Sequence, residues 1–508
     1  MPAKPLASTR SPSGSTGTVA IAAQRPVACI RIMGTVPLPS EIEARPGPRA
    51  PASCGGAWIA RNVAHMRRSP QVSTVRRIVD EFPSYREFVD AALFDPLWGY
   101  YSTGRVRFGD AGHYETYPDA MSPLFGEMVA GYAFKAWKRL GEPQVFEVAE
   151  IGAGNGQLCI DVVAQVVRRA SRAQPWRRFA EAFHFRILDR SPALIERQRQ
   201  QLRGADDRVV WTRCDLSTSR PRRLPFAPAG LIIANEVLDC LAHQKVVANP
   251  GEAPNAVFVV PTVAAGIRAR TVDLPGVQGA ALTRSEFDEF MADPELSEAV
   301  RFEERQVPVS AIPGLETHLH AYCPELFAEG FVFPPYFACP QVEAMMRNSA
   351  GLYDHAEALW IDYGHERRFH IEAPEEDRVF AGPPGSERSP YDAPGWDDIT
   401  FMVDFTTAAG AARAAGWEVV DLSPQADLAR RAGVDLDQKA RERIVAQRGL
   451  KFLLSLTGVD PERVWRRGAV TWRRGRRRGR TVRDDAQRVI DEFLGKPRSN
   501  FKLLSLRR

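Results

Sequence analysis

The sequence predicts an α/β fold built on a doubly wound, mostly parallel sheet. An apolar run from Phe146 to Ile151 leads into closely spaced glycines and then into an apolar stretch that suits a helix. Three further apolar runs follow along the chain, and each of them ends in a polar residue. Strands that alternate with helices in this way are typical of a parallel sheet, whose ligands bind outside the carboxyl ends of the strands.

The glycine turn lies in FEVAEIGAGNGQLCIDV, from Phe146 to Val162. Glu150 precedes three alternating glycines, Gly152, Gly154 and Gly156. Glycine lets a ligand approach the backbone closely, and the turn aims the first amides of the next helix at that ligand. The dinucleotide fingerprint would need glycine where the chain has Gln157. The acidic-x-G-x-G-x-G spacing indicates instead the S-adenosylmethionine site of class I methyltransferases, with an ordinary glycine-rich βα turn as the alternative.

The later strands supply further candidate ligand contacts. FHFRILDRS ends its strand at Asp189, and an acidic residue there reaches the ribose hydroxyls of a bound nucleotide. VVWTRCD ends at Asp215, where a carboxylate could read the adenine amino group. The fourth strand, LIIA, finishes in Asn235 and Glu236.

Composition limits the class of protein. The 508 residues are 44% hydrophobic and carry a net charge of +5, which suits a globular protein with no overall bias toward nucleic acid. The seven cysteines are scattered without a C-x-x-C pair, so neither a disulfide framework nor a metal site is indicated. No apolar run approaches the ~18 residues of a membrane span. We therefore expect a soluble, cytoplasmic protein without a metal.

The chain divides into four predicted segments. Residues 1–70 are rich in Pro, Ala, Ser and Arg and predict a disordered basic tail, with a mitochondrial transit peptide as the alternative. Residues 71–145 predict a helical lead-in, in which Ser84 caps a helix, and a lid loop. Residues 146–425 predict the core, interrupted at about 250–340 by an antiparallel and helical insertion. In the insertion, KVVA, AVFVV and GIRARTV predict strands, and EFDEFMADPELSEAVRF predicts helix. Residues 426–508 predict an Arg-rich helical extension whose last strand rejoins the sheet.

Seven ordered blocks resemble the MidA-like family of S-adenosylmethionine-dependent methyltransferases, which includes the mitochondrial complex I assembly arginine methyltransferase. The blocks are GYY, HYETYPDAMSPLFGE, EIGAGNG, ILDRSP, ANEVLDCL, IDYG and DDITFMVDF. The resemblance covers roughly residues 75–425. It implies a Rossmann-like methyltransferase sheet and an arginine of a partner protein, such as a respiratory complex I subunit, as the methyl acceptor.

The resemblance also implies roles for individual residues. Thr116 and Pro118 match the loop that contacts the cofactor, although Tyr117 departs from the usual residue. Asn235, Glu236 and Asp239 match the block that holds the acceptor. Carboxylates can grip a guanidinium bidentately, which suits Glu236 and Asp239. The alternative is that Glu236 caps a following helix while Asp239 is solvated.

Three other functions remain open on the sequence. A small-molecule N- or O-methyltransferase would share every cofactor residue, and a non-catalytic assembly factor would keep the fold without turnover. The run WRRGAVTWRRGRRRGR, from Trp465 to Arg480, could bind RNA, but a solvated basic loop is the favoured interpretation because no RNA-binding fold accompanies it. His318 and His320 form an H-x-H pair without a third ligand, so we expect no metal there.

Overall fold

A computed structural model describes the chain from residue 70 to residue 508, with gaps. The gaps are 109–115, 204–207, 222–226, 249–251, 329–330, 332, 376–377, 384–385, 437–439, 441, 445, 447–475, 478–479 and 495–499. The predicted tail therefore lies outside the described residues, apart from Pro70, and so does most of the Arg-rich run.

The helices of the described residues fall into a lead-in group, a group on the central sheet, three helices in the insertion and a C-terminal group. They are α1 Pro70–Glu81, α2 Tyr85–Phe94, α3 Tyr117–Ala120, α4 Leu124–Arg139, α5 Gln157–Ala170, α6 Gln174–Ala182, α7 Pro192–Gln201, α8 Arg284–Ala292, α9 Pro294–Ser297, α10 Leu315–Tyr322, α11 Gln341–Ala350, α12 Arg367–Glu372, α13 Phe405–Ala414, α14 Asp427–Ala432 and α15 Val482–Phe493.

The strands belong to two large sheets and two short ribbons. They are β1 Phe146–Ile151, β2 Phe183–Asp189, β3 Val209–Arg213, β4 Ala229–Asn235, β5 Gln244–Val247, β6 Asn255–Val263, β7 Thr271–Val272, β8 Ala280–Leu282, β9 Arg301–Pro308, β10 Tyr336–Ala338, β11 His355–His365, β12 Val379–Ala381, β13 Ile399–Phe401, β14 Val403–Asp404, β15 Glu418–Pro424, β16 Arg476–Arg477, β17 Arg480–Thr481 and β18 Phe501–Arg507.

The central sheet has the order β3-β2-β1-β4-β11-β18-β15, and β14 adds to β11. The pairs from β3 through β11 are parallel, whereas β18 runs antiparallel to both of its neighbours. The predicted doubly wound, mostly parallel sheet is therefore confirmed. Every residue of β1 and β4 is buried, as expected of strands that helices cover on both faces.

Each face of the sheet has its own apolar core. Helices α4, α5 and α6 pack on one face around side chains such as Phe125, Val162 and Phe179. Helices α11 and α13 cover the other face around Met346, Trp360 and Phe405. The predicted cap of α2 is confirmed, because the Ser84 side chain and Glu87 form a capping box.

A second, antiparallel sheet follows β4 in the sequence. Its order is β10-β5-β6-β8-β7, and β9 also pairs with β6. The prediction of helix through EFDEFMADPELSEAVRF is wrong at its end, because Arg301–Pro308 is a strand. Its Glu and Arg residues favour helix, but pairing along the length of β6 outweighs that local preference. The predicted strand GIRARTV is also shorter than expected and is limited to Thr271–Val272.

Helices α4 and α5 touch where α4 carries a glycine. A Cβ added at Gly126 would lie 2.3 Å from the Asp161 Cβ and 2.9 Å from the Asp161 carbonyl carbon. We expect Gly126→Ala to lower the free energy of unfolding by about 2 kcal/mol or more, because the two backbones must separate. Urea denaturation followed by circular dichroism measures this change.

Gly410→Ala is the matched control, since Gly410 also lies within a helix. An added Cβ there would meet only the Tyr322 ring, at 3.2 Å. The gain in helix propensity of ~1 kcal/mol should offset that contact, so we expect little net change. Equal destabilisation of the two variants would contradict the proposed cause.

Candidate active site

One cavity of about 530 Å³ opens at the carboxyl ends of β1, β2 and β4. Nearly all of the site residues predicted from the sequence line it: Thr116, Pro118, Glu150, Gly152, Gly154, Asp189, Asp215, Asn235, Glu236 and Asp239. Gly156 does not line the cavity and instead occupies the N-cap position of α5. The structure thus brings the residues together at one edge of the sheet, while their individual roles stay predictions.

The three glycines of this turn have no side chains, and the backbone conformation and the surrounding atoms disfavour any. Gly152, Gly154 and Gly156 all have positive φ angles, of 65°, 53° and 84°. A Cβ at Gly154 would lie 3.2 Å from the Phe108 ring, and one at Gly152 would lie 3.0 Å from a Val237 methyl group. Two constraints, backbone conformation and space, therefore favour glycine here.

Glu150 is the second-to-last residue of β1 and is 4% exposed. Its Oε2 atom has no hydrogen-bond partner among the residues that the structure describes. Burial, and then the nearby charge of Asp189, raise the pKa of Glu150 to about 8. A buried, unpartnered carboxylate oxygen at the edge of a cavity suits a ligand that donates a hydrogen bond or carries a positive charge.

The raised pKa of Glu150 predicts a pH dependence of folding. Its folded pKa exceeds the ordinary value of 4.5, so its contribution to stability is full below pH 4.5 and is lost as pH rises toward 8. We expect Glu150→Gln to remove a slope of about 1 kcal/mol per pH unit between about pH 5.5 and 7.5. Urea denaturation of both ligand-free proteins at several pH values measures this. Identical slopes would contradict the raised pKa.

Asp189 ends β2 with both carboxylate oxygens engaged. Oδ1 accepts the Ser191 backbone N–H at 2.9 Å, and Oδ2 accepts the Gln198 amide at 2.8 Å. Gln198 also donates to the Gly154 carbonyl at 3.0 Å, which joins Asp189 to the glycine turn. Burial raises the pKa of Asp189 to about 6, although these hydrogen bonds oppose the shift. The carboxylate is therefore held rigidly and is ionised at neutral pH.

Asp215 lies on the opposite side of Asp189 from the glycine turn. Its Oδ1 accepts hydrogen bonds from the backbone and the hydroxyl of Ser217, at 2.9 and 2.6 Å. Its Oδ2 is 3.4 Å from the Arg190 guanidinium. Arg190 in turn pairs with Asp90 and lies over the Phe94 ring. Sequence reasoning missed Arg190, which links Asp215 to α2.

The chain turns sharply after β4 instead of entering a helix. Glu236 has a positive φ of 53°, and the Asp362 Oδ2 atom accepts the backbone N–H groups of Val237, Leu238 and Asp239 at 2.9–3.2 Å. The alternative in which Glu236 caps a helix is therefore wrong, because no helix follows β4. The three hydrogen bonds to Asp362 stabilise the turn and satisfy backbone N–H groups that a helix would otherwise use.

The acidic side chains on this turn face the cavity. Glu236 accepts hydrogen bonds from Asn235, at 2.8 Å, and from the Tyr117 backbone, at 3.4 Å. Asp239 is 3% exposed, and its Oδ1 atom is unpartnered, as is that of Asn235. Burial is the main cause that raises the pKa of Glu236 to about 8 and that of Asp239 to about 6. Ionisation of this cluster is therefore costly without a positive charge nearby.

The lead-in segment reaches the same cavity. Thr116 precedes α3, and Asp119 within α3 accepts the Asn155 amide at 2.9 Å. This hydrogen bond ties the segment to the glycine turn. The predicted lid loop lies partly in the undescribed residues 109–115.

Sequence reasoning assigned no role to several other residues that line the cavity. They are Tyr101, Phe380, Asp398, Thr400 and Phe501. Tyr363 also lines the cavity, and the sequence makes it a candidate for shaping the acceptor side because it lies at the end of a predicted strand. Tyr363, Asp398 and Thr400 belong to the IDYG and DDITF blocks, so the resemblance contained a signal for them. Tyr101 lies in the GYY block, far from the others in sequence.

The cavity divides into two chemically different halves. The glycine turn offers bare backbone beside Glu150 and Asp189, which fits the amino acid and ribose parts of S-adenosylmethionine. The other half is acidic, with Glu236, Asp239 and Asp398. Within the described part of the chain, no cluster of His, Cys, Asp and Glu side chains could hold a metal ion. His318 instead forms a 2.6 Å contact with Glu343.

Known proteins resemble this chain over different extents. Residues 128–423, more than half of the chain, match the family model described as "Putative S-adenosyl-L-methionine-dependent methyltransferase". The protein arginine methyltransferase NDUFAF7 homolog, mitochondrial, of Drosophila melanogaster is 28% identical over 172 residues, which are 31% of this chain and 37% of the relative. Its counterpart in Xenopus laevis is 26% identical over 172 residues, or 31% and 38% of the two chains. The chain thus spans less than two fifths of the length of these relatives.

Among solved structures, the fold is similar to that of a COG1565 superfamily member from Burkholderia thailandensis, crystallised with S-adenosyl-homocysteine. The TM-score is 0.55 and the identity 18%, over 90% of this chain and 95% of the other. This likeness concerns the fold, whereas the family match covers the glycine turn and the turn after β4 in sequence. The chain belongs to this family of S-adenosyl-L-methionine-dependent methyltransferases, whose cofactor is S-adenosylmethionine.

Proposed function

We propose that the protein is an N-methyltransferase that modifies arginine side chains of a partner protein. The acidic half of the cavity carries this proposal. Glu236 and Asp239 line it beside the glycine turn, and no ion pair among the described residues joins either of them to Lys or Arg. A guanidinium would supply the missing positive charge and donate to the unpartnered Asp239 oxygen.

The same residues suit the chemistry of guanidinium methylation. S-adenosylmethionine supplies an electrophilic methyl group on a sulfonium. A guanidinium nitrogen attacks the methyl carbon as the carbon–sulfur bond breaks, and the electron pair of that bond stays on sulfur. The nitrogen must also lose a proton, which a buried carboxylate with a raised pKa can accept. Glu236 and Asp239 would thus orient the acceptor and receive its proton.

The names of the relatives are consistent with an arginine acceptor. Those from Drosophila and Xenopus are named protein arginine methyltransferases, at 28% and 26% identity. Their names include the word mitochondrial. The candidate locations are therefore the cytoplasm, which the sequence predicts, and the mitochondrial matrix. Fractionation of cells that express the tagged full-length chain distinguishes the two. No helix among the described residues is both long and apolar enough to cross a membrane.

The test identifies the methylated product. The purified protein is incubated with methyl-tritiated S-adenosylmethionine and an extract of cells that lack its gene, and the labelled material is hydrolysed to amino acids. We expect labelled methylarginines. Label confined to small molecules would favour the small-molecule methyltransferase instead. Cofactor binding with no transfer at all would favour the non-catalytic assembly factor.

A further inference from the structure

We propose that Asp398 is a third acceptor-binding carboxylate, beside Glu236 and Asp239, and that Asp398 and Asp239 together select a guanidinium over an ammonium group. This inference rests on the proposed function and names the chemical class that the acidic half of the cavity takes. Both side chains line that half, and the two residues belong to different elements. Asp239 lies on the turn after β4, whereas Asp398 immediately precedes β13.

The alternation of β13 places Asp398 in the cavity. Ile399 and Phe401 are 1% and 0% exposed and belong to an apolar core, while Asp398 and Thr400 line the cavity. Successive side chains of a strand point to opposite faces, so the sequence DITF presents its two polar residues together. The Phe401 N–H donates to the Asp239 carbonyl at 3.0 Å, which fastens this strand to the acidic turn.

Tyr101 fixes the orientation of Asp398. Its hydroxyl lies 3.0 Å from both carboxylate oxygens of Asp398 and 3.3 Å from the Cys240 sulfur. The Tyr101 ring stacks on Phe94, with the ring centroids 5.3 Å apart. An ionised carboxylate has about four acceptor positions, so the Tyr101 hydroxyl and the Ile399 backbone N–H leave Asp398 able to bind a further donor.

The charges of the cluster indicate a cation between its members. The charge of Asp239 helps to raise the pKa of Asp398, and burial is the larger cause. The Asp239 Oδ1 atom is buried without a partner. In the part of the chain that the structure describes, no ion pair joins Asp398 to a basic side chain. A bound cation would therefore relieve both the desolvation and the mutual repulsion.

The arrangement favours a guanidinium for geometric reasons. A guanidinium is planar and has five N–H donors, so its separate edges can serve two carboxylates that reach it from different elements. An ammonium is a compact, strongly hydrated charge with three donors, and it loses more on transfer to a buried site. Two carboxylates on separate elements should thus discriminate between the two groups.

Calorimetric titrations of the protein saturated with S-adenosylhomocysteine test this inference. The probes are butylguanidine and butylamine, which share a chain and differ in the cationic group. We expect the wild type to bind butylguanidine at least tenfold more tightly than butylamine. We expect Asp398→Asn to lower the affinity for butylguanidine about tenfold or more, with a smaller change for butylamine and an unchanged affinity for S-adenosylhomocysteine.

Asp397→Asn is the matched control, because Asp397 precedes Asp398, pairs with Arg388 and does not line the cavity. It should bind both probes like the wild type. Tyr101→Phe is a second test that keeps the charge and frees the carboxylate, and we expect it to weaken butylguanidine binding to a lesser extent. If Asp398→Asn does not fold, Tyr101→Phe tests whether Asp398 contributes to butylguanidine binding.

Two results would overturn the inference. One is an Asp398→Asn protein, or a Tyr101→Phe protein where the first does not fold, that binds butylguanidine like the wild type. The other is a wild type that binds S-adenosylhomocysteine but neither probe, or both probes equally. The proposed function is tested separately, by the search for labelled methylarginines. If methylarginines are found together with either of these two results, the proposed function is supported but Asp398 has no role in it.

Discussion

Replacement of Asp239 by Asn is expected to lower the rate of methyl transfer by roughly 10²–10³-fold while S-adenosylmethionine binding stays within about twofold. The Oδ1 atom of Asp239 is buried without a hydrogen-bond partner among the described residues, and Asp239 lines the acidic half of the cavity. Asn has nearly the same shape but lacks the charge that would hold and align a guanidinium. Tritium transfer to protein measures the rate, and calorimetry measures cofactor binding.

A control carboxylate outside the lining of the cavity separates this effect from a general loss of charge. Asp427 begins α14 and pairs with Arg430 on the surface, so Asp427→Asn should transfer methyl groups at the wild-type rate. Thermal unfolding checks that both variants are folded. Full activity of Asp239→Asn would rule out its proposed role at the acceptor.

Replacement of Asp189 by Ala is expected to weaken S-adenosylmethionine binding at least tenfold and up to about 100-fold, a loss of ~1.4–3 kcal/mol. Ser191 and Gln198 hold the Asp189 carboxylate in place at the end of β2, where ribose hydroxyls can donate to it. Hydrogen bonds to a charged acceptor are stronger than neutral ones. Titration of S-adenosylmethionine into both proteins by calorimetry measures the change.

The isosteric variant Asp189→Asn separates charge from shape. It keeps the volume and one carbonyl acceptor, so an intermediate affinity is expected. NADH serves as the ligand control and should bind neither protein, since Gln157 occupies the position of the third glycine in the dinucleotide fingerprint. An Asp189→Ala protein that binds the donor like the wild type would place the ribose elsewhere.

The central sheet could be predicted because its signals are local. The buried parallel strand β4 reads as a nearly continuous apolar run, and the glycine turn between β1 and α5 has its own spacing. Ligands bind at the carboxyl ends of such strands, so the sequence predicts that Glu150, Asp189 and Asp239 lie at one edge of the sheet. This prediction requires no knowledge of contacts. The family match and the related fold confirm the methyltransferase class.

The remaining features depend on long-range contacts that no local pattern encodes. Strand β9 is rich in Glu and Arg and becomes extended only because it pairs with β6. The turn at Glu236 replaces a helix because Asp362, more than 120 residues later, accepts three of its backbone N–H groups. Asp398 joins the cavity through the contact of Phe401 with Asp239. In each case the partner in space is distant in the sequence.

The position of β18 has a consequence for synthesis of the protein. This strand lies between β11 and β15, yet the ribosome makes it about 135 residues after β11, a delay of roughly 10 s at ~5–20 residues per second. Until then the nascent chain presents two unpaired strand edges, which invite pairing with other chains. Co-translational folding can therefore complete the sheet only from β3 to β11, and the newborn protein should depend on a chaperone that shields those edges.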